Sequence, residues 1–433
     1  MKKIIIFLLI LISLLIIGSV TYTNISSLSP DLLNFLRTIR DMGQEVTKSA
    51  ERTVGISLTA KIYDDNFIVE DYISGLSQPT SITFVEDDIL ILEKNSGFVK
   101  LIRNNELVHE PLLHFEVAST NEAGLLGIVS NNNDVYIYVT ESDNGNTIGN
   151  NIYRYTWDGN DLINPQLLNT LSGESSWHNG GAMTVDLNGQ VFAVIGDQYD
   201  EIVKNEYRLL QNHKKGDFDD SGVIVKVGYK PGIIQPKYDE NPLLHYYAIG
   251  IRNSFGLTVD PVTGNIWDTE NGPHNFDEIN LVSPGFNSGW EIVQGPITEE
   301  KKSKILSFDG FQYSDPEFSW ERTIVPTGLE FVNSELFDPY ENHLLVGACA
   351  TGEILKFKLN EDRTGFVFSS PHLQDLVANF IETESGEKEF EPLDEIVFGD
   401  GFGCITDIKF GPDGFLYIVS ITDNSIYRII PNS

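Results

Sequence analysis

Cysteine is nearly absent from this sequence: Cys349 and Cys404 are the only two in 433 residues. Two cysteines cannot build a disulfide framework or a cysteine-based zinc site. In an oxidising compartment they can still close one bridge. Basic residues are also scarce, with 29 Lys+Arg against 63 Asp+Glu and a formal net charge of -34. Phosphate binding needs a basic face, so this balance argues against a nucleic-acid binder. It also argues against docking on anionic lipid heads. The acidity suits solubility and a saline habitat but says nothing about fold. Hydrophobic residues make up 41% and aromatics 11%, which excludes a wholly disordered chain. The length fits one large domain or two to three ordinary ones. Such a chain can bury a core without disulfides or metals.

The N-terminus has little polar interruption. Met1-Lys2-Lys3 precedes an apolar run from Ile4 to Ile17, broken only by Ser13 and extended by Gly18-Ser19-Val20. A charged start before an apolar stretch is a secretory signal or a signal anchor. About 17 residues span roughly 25 Å, slightly short of a bilayer core near 30 Å. No A-x-A-like cleavage site follows, which favours an uncleaved membrane anchor over residues 1–20, with a cleaved signal as the alternative. The lysines favour the cytoplasmic side, so an extracytoplasmic location is expected for the rest. Residues 21–60 read as a stalk. Pro30 opens an expected helix in which Leu32, Leu33, Leu36 and Ile39 recur at helical spacing toward Met42. Asn24-Ile25-Ser26 is a glycosylation sequon.

From Lys61 to the end helical periodicity is sparse. Short alternating or β-branched runs dominate, punctuated by Gly, Asn and Asp, which is an all-β pattern. Six units repeat an apolar opening, a strand, a tight turn and further strands. They start at Pro79, Gly124, Gly180, Ser254, Pro326 and Cys404. One unit cannot cover its own apolar faces, so neighbours must pack together. The expected fold is therefore a six-bladed β-propeller over 61–433. A pair of β-sandwiches or a β-solenoid is the alternative. Asn188-Gly189 and Asp413-Gly414 supply the positive-φ residues that tight hairpins need.

A propeller gathers the starts of its inner strands around a central channel. Three constellations fall at such starts. Trp177-His178-Asn179-Gly180-Gly181 places an imidazole before two glycines, which let backbone and ligand approach closely. Imidazole is a general base suited to neutral pH; the plainer reading is a packing or capping His. Gly250-Ile251-Arg252-Asn253-Ser254 sets a planar guanidinium beside an amide, suited to carboxylate, carbonyl or sugar oxygens. An Arg pinning loop carbonyls is the plainer reading. The stretch from Glu270 to Asn280 is rich in the oxygen donors that calcium requires, or else is a solvated acidic turn. Asp217 to Gly222 is acidic but lacks EF-hand spacing and reads as a loop.

These constellations, in this order, resemble the glucose/sorbosone dehydrogenase family, which includes soluble PQQ-dependent glucose dehydrogenase and aldose sugar dehydrogenase. The resemblance covers roughly residues 64–431. Gly250 to Trp290 is its most specific segment, supported by NEAGLLGI, WHNGG, IGDQ and the closing GPDGFLYIVSITDNSIYRI. It implies a propeller holding pyrroloquinoline quinone (PQQ) with calcium. His178 matches the family's base, which takes a proton from the anomeric hydroxyl of a sugar. Arg252 and Asn253 match the cofactor-binding pair, and Thr323 a cofactor-contacting Thr. Gly272 and Pro273 match the calcium-binding carbonyls. Glu122 stands where the glucose enzyme has a Gln near substrate. Electrons would pass to an external acceptor.

The sequence also departs from the family. PQQ carries three carboxylates, and the family's further cations align here with Ala350, Cys404 and Thr406. Ala182 replaces an Arg that often follows the glycine pair. A charge-assisted hydrogen bond contributes about 1.5–3 kcal/mol, so losing three would weaken PQQ binding by several decades. The alignment places Cys349 and Cys404 on adjacent blades near the axis. A disulfide across that seam is one expectation, and two separate buried cysteines the other. Two functions are compatible with this reading. One is a PQQ-dependent dehydrogenase of an aldose. The other is a non-enzymatic, calcium-binding surface propeller that binds a sugar or a protein.

Overall fold

The computed structural model describes residues 60–173, 175–198, 220–228, 245–305, 310–382 and 388–432. The expected anchor and all of the expected stalk except Ala60 lie outside these residues. So does most of the acidic loop from Asp217, of which Asp220 to Gly222 are described.

Among the described residues, six sheets have four or more strands. We call them blades I to VI in the order of their innermost strands. These are Pro79–Val85, Leu125–Asn131, Met183–Val185, Ser254–Val259, Pro326–Phe331 and Ile405–Phe410. Each innermost strand packs beside the next, and that of blade VI returns to that of blade I. The chain thus forms a closed β-propeller, as the sequence repeat predicts. A sandwich or solenoid would leave two ends to this series.

The packing explains why so many strands are apolar throughout. Side chains alternate sides along a strand. In a propeller both sides of a blade face another blade. Strand Asp134–Asp143 of blade II shows this division. Val135, Ile137 and Val139 pack with Leu90, Leu92 and Val99 of blade I. Tyr136 and Tyr138 pack with Met183, Val191 and Ala193 of blade III. Among the described residues, six apolar clusters result, one at each seam.

Ring closure uses a strand that the repeat does not reveal. Phe67–Ser74 pairs antiparallel with the C-terminal strand Ser425–Pro431 and becomes the outer strand of blade VI. Lys61–Ile62 likewise joins Val397–Asp400 at the edge of blade V. Both ends of the described chain are therefore held by sheet hydrogen bonds. The anticipated hairpin glycines take positive φ, 83° at Gly189 and 79° at Gly414.

Cys349 and Cys404 form a disulfide, with their Cα atoms 3.8 Å apart. It bridges the turn after strand His343–Ala348 of blade V to the residue before the innermost strand of blade VI. The sequence left open whether these two residues pair.

Candidate functional site

All six innermost strands start at one end of the channel, and the turns leading out of each second strand lie at the same end. The polar groups singled out in the sequence meet there. A cavity of about 300 Å³ runs along the axis. Leu126, Met183, Phe255, Leu257 and Leu329 contribute apolar wall, and Glu122, Gly180, Thr406 and the disulfide cysteines also line it.

His178 sits at the centre of the polar cluster and is only 6% exposed. Its φ of 56° lies in the left-handed region, as do those of Gly180 and Gly181. For a non-glycine residue this conformation is uncommon, and such residues concentrate at functional sites. Hydrogen bonds hold it in place. The His178 N–H donates to Glu122 Oε2 at 2.6 Å. Its Nδ1 lies 2.5 Å from Asp197 Oδ1. A carboxylate only accepts, so Nδ1 carries the proton toward Asp197 and Nε2 becomes the basic nitrogen. Asp197 is fully buried, and its other oxygen accepts from Trp290 Nε1 at 2.7 Å.

Arg252 lies on the far side of Asp197. The Asp197 N–H donates to the Arg252 carbonyl at 2.8 Å. The Arg252 N–H donates to Glu270 Oε1 at 2.8 Å, and its Nη1 donates to the Asn271 carbonyl at 2.5 Å. The guanidinium stands 5.4 Å from the Trp290 ring centroid, within cation–π range. Burial lowers its pKa, against the pull of Asp197, Glu270, Glu122 and Asp277. Asn253 turns its Nδ2 toward Glu122, at 3.3 and 3.4 Å from the two carboxylate oxygens. Among the described residues, the buried polar atoms here without a hydrogen-bond partner include Arg252 Nε and Asn253 Oδ1. Buried polar groups are normally satisfied, so orphans of this kind point to an absent ligand or water.

Gly196 permits the close approach of these loops. A Cβ there would lie 2.5 Å from the Arg252 carbonyl oxygen and 2.7 Å from that of His178. Real Cβ atoms do not approach that closely, so only glycine fits.

The segment after Arg252 supplies oxygen atoms. Asp277 accepts from the Gly272 N–H at 2.9 Å and from the Ile324 and Val325 N–H groups at 2.6 and 2.8 Å. Burial pushes its carboxyl up to about 6. Burial likewise pushes Glu270 up to about 7. Gly272 is half-buried and Pro273 exposed. Among the described residues, neither carbonyl accepts a hydrogen bond.

The structure thus brings together His178, Arg252, Asn253, Glu122 and Gly272. Thr323 is adjacent through Ile324 and Val325 but makes no side-chain hydrogen bond to the cluster. Ala350 is exposed and lies off the cavity wall, whereas Cys404 and Thr406 are on it. The Thr406 hydroxyl donates to the Pro79 and Val419 carbonyls at 3.2 and 3.4 Å. Three groups escaped the sequence reading. Asp197 lies in the I-G-D-Q run, where an acid that follows a glycine near the axis is the available signal. Trp290 lies in the Ser-Gly-Trp end of the fourth unit. Lys94 carries no local signal. It lines the cavity and donates to the Asn121 and Ala123 carbonyls at 2.7 and 2.8 Å.

Comparison with known proteins identifies the family. The family model for glucose/sorbosone dehydrogenase matches residues 76–429. An aldose sugar dehydrogenase of Escherichia coli is 24% identical over 259 residues, covering 57% of this chain and 58% of that protein. The chain therefore matches little more than half the length of that curated relative. Among solved structures, a glucose dehydrogenase-type oxidoreductase of Thermus thermophilus has a TM-score of 0.61 at 22% identity, covering 84% of this chain and 100% of that one. The PQQ-bound aldose sugar dehydrogenase of Streptomyces coelicolor has a TM-score of 0.58 at 18% identity, covering 85% of this chain and 99% of that one. At these identities the structural likeness speaks for the fold. The family match spans most of the sequence, and this chain belongs to the glucose/sorbosone dehydrogenase family.

Proposed function

We propose that this protein is a PQQ-dependent sugar dehydrogenase that oxidises an aldose at its anomeric carbon outside the cytoplasm. The observation that carries this is the His178–Asp197 pair beside Arg252 and Asn253, whose Nε and Oδ1 atoms are buried without a hydrogen-bond partner among the described residues. Asp197 fixes the imidazole tautomer and stabilises the imidazolium that forms when Nε2 takes the anomeric proton. Its placement by two hydrogen bonds, to His178 and Trp290, keeps the ring from turning away. PQQ, when bound, supplies the acceptor for the hydride that leaves with that proton. Arg252 brings positive charge to the side where negative charge would develop, and Trp290 and the Asn271 carbonyl hold it. The uncommitted carbonyls of Gly272 and Pro273 suit calcium, which takes oxygen ligands. Glu122 would bind the sugar, and Thr323 would sit at the edge of the cofactor. The lysine-flanked apolar run from Ile4 supports membrane attachment and export of the propeller, with electrons passing to an external acceptor.

The residues fit the reacting edge of PQQ better than its carboxylates. Cys404 and Thr406 are uncharged. Among the described residues, two cations line the cavity. Lys94 is engaged with backbone carbonyls, and Lys409 lies 3.3 Å from Glu330 and 3.9 Å from Asp407. Weak PQQ binding is therefore expected. This favours a second reading, a calcium-binding surface propeller that takes a sugar or protein without turnover.

Titrating the protein with PQQ and calcium, followed by dye reduction with a panel of aldoses, separates the two. Turnover that is lost in His178→Ala supports the dehydrogenase. No binding at micromolar PQQ leaves the second reading.

A further inference from the structure

We propose that the axial cavity takes an uncharged quinone in preference to PQQ, and that this quinone accepts the hydride directly from the sugar. The inference rests on the sugar-oxidising part of the reading above. It concerns the part that the cavity wall opposes, the carboxylates of PQQ.

The wall is apolar on most sides. Blade II contributes Leu126, blade III Met183, blade IV Phe255 and Leu257, and blade V Leu329. The Cys349–Cys404 disulfide closes the seam between blades V and VI. Pockets of this composition bury a ligand's rings and orient them through a few polar groups.

The hydroxyls on the wall do not replace the missing cations. Thr80 donates to the Leu125 carbonyl at 2.8 Å and Ser81 to Asp407 Oδ2 at 2.7 Å. Thr327 donates to the Gly347 and Ile405 carbonyls at 3.0 and 2.8 Å. Thr406 donates to the Pro79 and Val419 carbonyls. A hydroxyl has one proton, so these groups have only lone pairs left for a ligand, and lone pairs repel a carboxylate. Glu122 and Asp407 stand on the wall against Lys94 and Lys409, which leaves it no net positive charge. Both lysines already have protein acceptors. Three ligand carboxylates would lose their water there without gaining partners, which is costly. An uncharged ring avoids that penalty.

The polar end of the cavity suits a single reacting carbonyl. Glu122 lies on the wall, accepts from the His178 N–H and touches the Asn253 amide, so the imidazole and the Arg252–Asn253 pair adjoin the cavity. In the reaction the anomeric C–H bond breaks, and its electron pair leaves as hydride to a quinone carbonyl. The anomeric O–H proton goes to His178 Nε2, and the electron pair of that bond closes the lactone C=O. The resulting hydroquinone anion takes the proton back from His178. Aldose and quinone thus become lactone and hydroquinone, a balanced transfer of one hydride and one proton. Arg252 supplies the one positive charge that this one developing anion needs.

The test uses the full chain, prepared without PQQ. It is titrated by calorimetry at pH 7 with a dimethoxy-methyl-benzoquinone, with PQQ and with the trimethyl ester of PQQ. The ester keeps the ring system and loses the charges. It should bind about tenfold more tightly than PQQ, and the benzoquinone should also bind more tightly than PQQ. With an aldose and the benzoquinone alone, lactone and hydroquinone should form in equal amounts, and His178→Ala should stop both. Thr406→Arg returns a cation to the wall and should raise PQQ affinity about tenfold or more, as one charge-assisted hydrogen bond does. If that variant fails to fold, the contrast among the three probes on the unaltered chain decides. PQQ binding as tightly as its ester, no binding of the uncharged quinones, no gain from a folded Thr406→Arg, or sugar oxidation with PQQ and none with the benzoquinone would overturn the inference. Preferential binding of the uncharged quinones with no sugar oxidation by any probe would refute the dehydrogenase reading and leave the ligand preference standing.

Discussion

Removing the Cys349–Cys404 disulfide should destabilise the propeller by an amount that the chain itself sets. The two cysteines are 55 residues apart. In the chain-entropy model, a cross-link closing a loop of that length removes about 14 cal/mol/K from the unfolded state, or about 4 kcal/mol at 25 °C. Unfolding entropy near 60 °C is about 2.1 cal/mol/K per residue. For the roughly 370 residues from Ala60 onward this totals about 0.8 kcal/mol/K, so the loss corresponds to a drop in Tm of about 5 °C. The double variant Cys349→Ser/Cys404→Ser, scanned by calorimetry beside the unaltered protein, measures it. The seam between blades V and VI also contains an apolar cluster that includes Phe337, Phe398 and Ile418. The variant should therefore remain folded. A Tm within about 1 °C of the unaltered protein would refute the reasoning, because the bridge would then not constrain the unfolded chain as the model requires.

Three further predictions concern the site. Asp197→Asn keeps the size but removes the charge that fixes the imidazole. It should lower kcat for dye reduction by about two to three decades, within the range for general-base catalysis, with little change in KM; a loss under threefold would refute the pairing. Gly196→Ala forces a Cβ against the carbonyls of Arg252 and His178. It should cost about 1–3 kcal/mol of stability, as overpacking does, and activity should fall with it; an unchanged Tm and activity would show that the loops can part freely. The third prediction is pH dependence. Burial raises Glu270 to about 7 and Asp277 to about 6 in the folded state. Above about pH 4 the folded chain therefore holds more protons at these two groups than the unfolded chain does. Their contribution to stability is fully present below about pH 4 and is lost as pH rises through about 6 to 7. Each pH unit by which the folded pKa exceeds the unfolded one corresponds to about 1.4 kcal/mol. Tm should therefore fall from pH 5 to pH 8, and a rising Tm over that interval would contradict the burial of these acids.

The fold was legible because a propeller repeats itself. Each of the six units carries the same opening, hairpins and apolar content, and each must bury two faces against neighbours. What the repeat could not show was how the ring closes. Phe67–Ser74 lies before the first of the six units, and its partner Ser425–Pro431 lies at the other end of the chain. Likewise, His178, Arg252 and Asn253 stand out because each falls where an inner strand begins. Lys94 does not, because its role lies in two carbonyls of the following blade.

The amino-acid sequence by itself determined the class of fold, the family and most of the polar residues around the axis, since these depend on local pattern and on motifs within single units. Only the tertiary structure decided that Cys349 and Cys404 are joined and that Asp197 turns toward His178. It also decided that Glu122 rests on the backbone of the residue expected to act as base. Each of these relations links residues from different units or different loops. Their distance is set by how the blades pack around the ring, and no spacing along the chain encodes it.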